Sequence, residues 1–223
     1  MSVTLLLVDD HPIVRQGLRH LFEGEPEFRV VGEAKDGAEA LQLVERLKPN
    51  IVIVDMMMPG LNGLEVLRRI KNISPDTRAI VLSMQSADAY VIEALKNGAA
   101  GYVLKDSGPS ELANAVREVT QGNHFLSAKL SERLQASKGS SMDTPSDDYE
   151  SLTTREREIL QMTAEGLTST EIANQLKISP RTVELHRRNL TGKLGIKRQA
   201  DLIRFAIKRG ILPIDEFGSD IDL

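Results

Sequence analysis

Five polar side chains stand directly at the ends of short apolar, β-branched runs. Asp9 and Asp10 follow Val3 to Val8, Asp55 follows Ile51 to Val54, Ser83 closes Ala79 to Ser83, and Lys105 follows Gly101 to Leu104. In a parallel α/β sheet, groups at the carboxyl ends of strands converge on one edge, where ligands collect at the topological switch point. Three carboxylates gathered there repel one another, so they need either protons or a cation. A divalent ion that prefers oxygen ligands is the natural partner. Mg²⁺ fits, because it bridges protein carboxylates to a phosphate group. Asp55 is then placed to attack phosphorus and form an acyl phosphate, with Lys105 offsetting the charge that develops on the phosphoryl oxygens. Any one of these acids alone would pass for a helix cap or a loop residue. The combination carries the reading.

The elements that must hold these groups can be read from the same stretch. Five strands, Val3 to Val8, Phe28 to Glu33, Ile51 to Val54, Ala79 to Ser83 and Gly101 to Leu104, alternate with five amphipathic helical segments. The helices are Pro12 to Glu23, Gly37 to Leu47, Gly63 to Ile73, Ala87 to Asn97 and Pro109 to Gln121. Strands 1, 3 and 4 are nearly continuous apolar runs, as expected of parallel strands covered on both faces. The pattern predicts a doubly wound (βα)5 α/β domain over residues 1–128.

These residues resemble a known family. Asp9-Asp10, the run Val54-Asp55-Met56-Met57-Met58-Pro59-Gly60 with Gly63 after it, Ser83, and Gly101-Tyr102-Val103-Leu104-Lys105 are similar in order and spacing to the CheY-like receiver domain of two-component response regulators. The resemblance implies that Asp55 is the phosphoacceptor, that Asp9, Asp10 and Asp55 bind Mg²⁺, and that the backbone carbonyl of Met57 completes the metal shell. It also implies that Lys105 pairs with the phosphoryl group, that the Ser83 hydroxyl moves to meet it, and that Tyr102 follows by changing rotamer. Met56, Met57 and Met58 read as adaptable packing around the loop. His11 reads as a solvated cap residue beside the acids. Met84 stands after Ser83 where receivers at large often carry a small residue.

Composition limits what else the chain can do. It has 223 residues, room for two domains of ordinary size. With no cysteine, disulfides, zinc fingers, iron–sulfur clusters and thiol catalysis are excluded, and the four histidines show no metal-ligand spacing. Eight aromatics, five Phe and three Tyr, are too few for a base-stacking platform. Neither a signal peptide nor an apolar run of about 18 residues is visible. A cytoplasmic protein is expected.

The net charge of −4 hides a division. Residues 1–128 hold 13 basic and 17 acidic side chains, whereas residues 151–212 hold 12 and 6. A basic segment inside an acidic chain is the footprint of nucleic-acid binding. Between the two parts, residues 129–149 include Ser137-Lys138-Gly139-Ser140-Ser141 and Thr144-Pro145-Ser146 and read as a flexible linker. The tail, residues 213–223, carries four acids and no base and reads as disordered.

The basic segment is helical by pattern. Thr153 with Glu156, and Thr168 with Glu171, form capping boxes, while Ser179-Pro180 supplies an N-cap and a first-turn proline. A fourth helix runs from about Gln199 to Arg209. Four short helices with a tight turn between the second and third make a helix-turn-helix domain over residues 150–212. On the third helix Val183, His186, Leu190 and Leu194 share one side, and Arg181, Glu184, Leu185 and Arg188 share the other. One face can therefore pack while the other enters a groove.

Leu152 to Leu160, Gly166 to Ala173 and Ser179 to His186 resemble the LuxR-type helix-turn-helix. A receiver joined to that domain is the arrangement of NarL/FixJ-class response regulators. The resemblance implies base-facing positions at Glu184, Leu185 and Arg188, and candidate phosphate contacts at Thr170, Arg181, Thr182, Arg187 and Lys193. It also implies that the last helix pairs with its twin in a DNA-bound dimer.

The expected function is that of a transcriptional regulator phosphorylated on Asp55 by a sensor histidine kinase. It would bind a two-fold symmetric promoter site as a homodimer, in concert with RNA polymerase. Two other classes fit parts of the sequence. Mg²⁺-dependent aspartyl-phosphate phosphatases share the nucleophile and the sheet but need an acid two residues after it, where this chain has Met57. A helical domain that binds protein instead of DNA is the second.

Overall fold

The computed structural model describes residues 2–137, 149, 151–209 and 211–212. The chain divides into two compact units, Met1–Gly139 and Ser140–Leu223.

In the first unit six parallel strands lie in the order β2-β1-β3-β4-β5-β6: β1 (Val3–Val8), β2 (Phe28–Ala34), β3 (Ile51–Asp55), β4 (Arg78–Ser83), β5 (Ala99–Leu104) and β6 (Phe125–Leu126). Helices α1 (Pro12–Glu23), α2 (Gly37–Leu47), α3 (Gly63–Ile73), α4 (Asp88–Lys96) and α5 (Pro109–Thr120) connect the first five strands and lead to the sixth. Every residue of β3 and β5 is buried, which is why their sequences run apolar without alternation. Leu6, Val52, Val54 and Val81 pack on one face against Val44 of α2, Ile70 of α3 and Val91 of α4. Leu5, Ile51, Ile53 and Ile80 pack on the other against Phe22 of α1 and Val116 of α5. Each such side chain contributes about 1.5–3 kcal/mol on burial. The strand order reverses between β1 and β3, so the crevice at their carboxyl ends lies beside Asp9 and Asp55.

The structure departs from the sequence reading after α5. A sixth strand pairs in parallel with β5, and α6 (Ala128–Ser137) occupies the start of the stretch read as linker. Leu130 explains the helix: it is wholly buried in the core of the first unit, and Ser127, also buried, accepts a hydrogen bond from the Leu104 N–H at 3.2 Å. The rest of the linker apart from Tyr149, and the acidic tail, lie outside the described residues.

The second unit holds α7 (Thr154–Ala164), α8 (Ser169–Leu176), α9 (Pro180–Lys193) and α10 (Gln199–Lys208). Both capping boxes form, and Ser179 caps α9 by accepting from the Thr182 N–H. The turn between α8 and α9 passes through Lys177 at φ 52°, a left-handed conformation. Ile159, Leu160, Ile172, Val183, Leu190 and Leu202 form the core. Tyr149, the last residue of the stretch read as linker, is buried there beside Phe205, with the Arg157 guanidinium 4.9 Å from its ring centroid. Among the described residues no helix is long and apolar enough to cross a membrane.

Candidate functional site

The acidic site is assembled by three strand ends. Asp55 is the last residue of β3, Asp9 and Asp10 follow β1, and Lys105 follows β5. The Lys105 ammonium donates to Asp9 Oδ2 at 2.8 Å and to Asp55 Oδ2 at 2.7 Å. Asp9 and Asp55 are buried, and the lysine side chain is 15% exposed. The remaining carboxylate oxygens are held by backbone. Asp9 Oδ1 accepts from the His11 N–H at 2.8 Å and Asp55 Oδ1 from the Met57 N–H at 3.2 Å. Arg15 donates to the Asp9 carbonyl at 2.6 Å and ties the loop to α1.

Gly63 fixes the loop after Asp55. Its N–H donates to the Met56 carbonyl at 2.9 Å, and a Cβ there would stand 2.4 Å from the Asp55 carbonyl oxygen. Only glycine permits so close an approach of α3 to the strand end.

Burial pushes the Asp55 carboxyl above its ordinary pKa, and the nearby Asp9 adds to the rise, while Lys105 only partly offsets it. Burial works against the Lys105 ammonium, but Asp55 and Asp9 outweigh it and hold its pKa above the usual value. The Asp55 carboxylate is therefore charged at a cost, and added positive charge would relieve it.

Ligand atoms of Asp9, Asp10, His11 and Asp55 all lie within 4.8 Å of one another, a grouping that could hold a metal. Asp10 Oδ1 is shielded from solvent without a hydrogen-bond partner, and His11 Nδ1 lies 2.9 Å from it, an ion pair when the imidazole is protonated. This oxygen-rich set, with one unpartnered carboxylate oxygen, fits a hard divalent cation. His11 does occupy the N-cap position of α1, but its side chain makes no capping bond and turns to the acids instead. Its place after two acids gave no signal of that.

Ser83 is fully buried at the end of β4, in register with Leu104, and its carbonyl accepts from the Lys105 N–H at 2.9 Å. The Ser83 hydroxyl accepts from the Gln85 N–H at 3.1 Å. Tyr102, fully buried in β5, donates its hydroxyl to the Gln85 carbonyl at 2.7 Å. Burial drives the phenol pKa strongly upward, with Ser83 opposing. Met56 and Met58 are buried in the core and Met57 packs partly buried against it, as packing side chains do. Met84 stands 69% exposed beside Ser83.

In the helical unit α9 has the predicted two faces. Val183 and Leu190 are buried, His186 is half-buried, and Arg181, Glu184, Leu185 and Arg188 are exposed, Leu185 by 52%. Thr170 is exposed at the start of α8, and Thr182 and Arg187 are half-buried. Several of the singled-out residues are engaged within the unit. Lys193 donates to Glu156 Oε2 at 2.6 Å and to the Ser151 carbonyl at 3.0 Å, tying α9 to the capping box of α7. The Glu184 carboxylate accepts from the Ser169 hydroxyl, and Arg187 Nη1 donates to the same hydroxyl oxygen at 2.9 Å. Ser169 lay in a quoted motif, but its place between two recognition-helix side chains depends on how α8 meets α9.

Both units match known families. Residues 5–117 match the response regulator receiver domain, and residues 150–206 match the LuxR family of bacterial regulatory proteins. The nitrate/nitrite response regulator protein NarL of Escherichia coli K12 is 38% identical over 198 residues, 89% of this chain and 92% of that one. The oxygen regulatory protein NreC of Staphylococcus aureus RF122 is 35% identical over 213 residues, 93% of this chain and 98% of its own. A solved complex of the two-component response regulator RcsB with DNA superposes with a TM-score of 0.59 at 28% identity, covering 93% of this chain and 99% of that one.

Proposed function

Because the chain belongs to the response regulators of the NarL/FixJ class, a receiver joined to a LuxR-type DNA-binding domain, we infer that Asp55 takes a phosphoryl group from a sensor histidine kinase. In consequence the helical unit binds a two-fold symmetric promoter site as a dimer. The observation that carries this reading is the single ammonium of Lys105 bridging Asp9 and Asp55 at 2.8 and 2.7 Å. That arrangement keeps one carboxylate beside a fixed positive charge at the switch point.

The transfer is a displacement at phosphorus. An Asp55 carboxylate oxygen attacks, the bond from phosphorus to the histidine nitrogen of the donor breaks, and the departing imidazole takes up a proton. Lys105 then follows the charge from the carboxylate to the phosphoryl oxygens. Asp9, Asp10 and Asp55, with the Met57 carbonyl, would hold Mg²⁺. When bound, it supplies positive charge to the phosphoryl oxygens. The Ser83 hydroxyl, whose oxygen accepts from the Gln85 N–H, turns its proton to the new group. Met57 occupies the position where an aspartyl-phosphate phosphatase needs an acid, so turnover of an external phosphoester is not part of this reading.

On DNA, Leu185 and Arg188 face bases, and Thr170, Arg181, Thr182 and Arg187 serve the phosphates. Glu184 accepts from cytosine N4 on the base edge. Phosphorylation shifts an existing equilibrium toward the dimer competent for DNA, and the promoter-bound dimer acts on RNA polymerase. The test is selection of duplexes from a random pool with and without a small phosphodonor and Mg²⁺, using the wild type and Asp55→Asn. Recovery of a palindromic site that depends on donor in the wild type alone is expected. Equal donor stimulation of both proteins would overturn the coupling.

A further inference from the structure

The helical unit contains a cavity of about 170 Å³ between α7, α9 and the start of α10. Its charged wall is entirely basic, formed by Arg187, Lys197 and Arg198. Thr163 of α7 lines the same space. It is 3% exposed, and its Oγ1 is shielded from solvent without a hydrogen-bond partner. A buried hydroxyl without a partner is uncommon and points to something that normally accepts from it or donates to it.

The N-terminus of α10 opens at this cavity through Gln199, its first residue. Arg198 holds the N-cap position with extended geometry, φ −118° and ψ 145°, and no side chain caps the first amides. Asp201 and Leu202 both donate their N–H to the Arg198 carbonyl, at 3.1 and 3.2 Å, so the amides before them are the ones open to a ligand. The acid of that first turn, Asp201, pairs with Arg204 at 3.4 Å and does not line the cavity. Thr191 spends its hydroxyl on the Arg187 and Arg188 carbonyls, leaving Thr163 as the hydroxyl that lacks a partner.

We propose that this cavity is a site for one tetrahedral phosphate-type oxyanion, held by the Thr163 hydroxyl, the α10 N-terminal amides and the Lys197 and Arg198 side chains. The chemistry is that of helix N-termini generally, where exposed N–H groups and the helix dipole favour an anion, here reinforced by basic side chains. The volume accommodates such an ion with one or two waters, a water's share being about 30 Å³. The phosphate can come from a DNA backbone, in which case the inference rests on the DNA-binding reading and adds a contact outside the recognition helix. It can also come as a free ion.

Two measurements on the full chain separate these sources. Inorganic phosphate is titrated against labelled protein at constant ionic strength with chloride as control, and the Gln199 and Ala200 amide resonances are followed. Saturable movement with phosphate alone, lost in Thr163→Val, establishes a site for the free ion. In the second, affinity for a duplex selected from a random pool is compared for the wild type, Thr163→Val and the exposed double variant Lys197→Gln/Arg198→Gln. A loss of fivefold or more in both variants, erased when one backbone position carries a neutral methylphosphonate, identifies a DNA phosphate. The double variant changes surface residues, so a folding defect at Thr163 cannot imitate the result. If phosphate does not saturate and both variants bind the duplex like the wild type, the site does not exist. The DNA reading would still stand if Arg188→Ala weakened the same binding. If the wild type binds no duplex, that reading fails and the phosphate titration alone decides the site.

Discussion

The Tyr102 hydroxyl donates to the Gln85 carbonyl at 2.7 Å, with the ring fully buried in β5. The aromatic expected to change rotamer on phosphorylation is thus anchored two residues past Ser83. Tyr102→Phe keeps the packing and loses the anchor. A loss of about 0.5–1.5 kcal/mol in receiver stability is expected. The sharper readout is the ratio of duplex affinities with and without phosphodonor, which should fall while the rate of Asp55 phosphorylation stays near that of the wild type.

Asp55 and Lys105 should respond to substitution in opposite directions. Asp55→Asn removes a buried charge that the protein holds at a cost, so thermal unfolding without divalent ions should show a stabilised receiver, by about 1 kcal/mol, together with complete loss of hydroxylamine-sensitive phosphorylation. Lys105→Met leaves Asp9 and Asp55 facing each other and should destabilise the receiver by about 3 kcal/mol near neutral pH. That deficit should shrink in acid, where a proton takes the place of the ammonium.

The pH dependence has a definite sign. Asp55 has a folded pKa above its unfolded value, so between the two the native state binds more protons. Its contribution to stability is greatest in acid and falls as pH rises through that window. Lys105, also raised, contributes stability below its unfolded pKa that is lost as pH climbs through the folded value. Carboxyl ¹³C shifts of labelled aspartate should show Asp55 titrating above an exposed aspartate in metal-free protein. Added Mg²⁺ should move that titration downward.

Glu156 behaves in the reverse sense. Burial works to raise its pKa, but Lys193 and Thr153 outweigh burial and hold it low. Its contribution is present above the unfolded value and lost as pH falls through the folded one. Lys193→Gln should therefore cost the helical unit about 1–3 kcal/mol, measured by denaturant unfolding. Because the ammonium is already bound to Glu156, the slope of log affinity against log salt should scarcely change. Arg188→Ala or Arg181→Ala should weaken duplex binding, with Arg181→Ala reducing the salt slope by about one.

Glu184 and Arg187 meet at the Ser169 hydroxyl, so the carboxylate is positioned before DNA arrives. Glu184→Lys should exchange the preferred base at the facing position, with discrimination changing by about 1–3 kcal/mol. Ser169→Ala should loosen the preference without replacing it. Both are read by repeating the duplex selection.

The acidic site was legible because its members stand at strand ends, and strand ends follow from apolar runs with Gly or Pro beyond them. The order β2-β1-β3-β4-β5 then brings them together. What escaped the sequence depends on tertiary packing. Tyr149 is a single apolar residue in polar surroundings, and Leu130, with Leu126 and Leu134 four residues to either side, makes only a short repeat before the polar run from Ser137, yet Leu130 and Tyr149 each fill a core position. Lys193 reads as a surface cation until α9 lies across α7 and brings it to Glu156. The part of His11 was hidden because its ring turns back toward Asp9 and Asp10, the two acids just before it, a matter of one rotamer.

The buried Leu130 also decides where the gene can be cut. A fragment ending at residue 128 would leave an open hydrophobic hole beneath the end of β5, next to the Ser127 hydroxyl that braces Leu104 and, one residue on, Lys105. Such a fragment would be expected to clump, and its labelling kinetics would report a damaged lysine as much as the intact switch. An expression boundary beyond residue 137 keeps the plug in place.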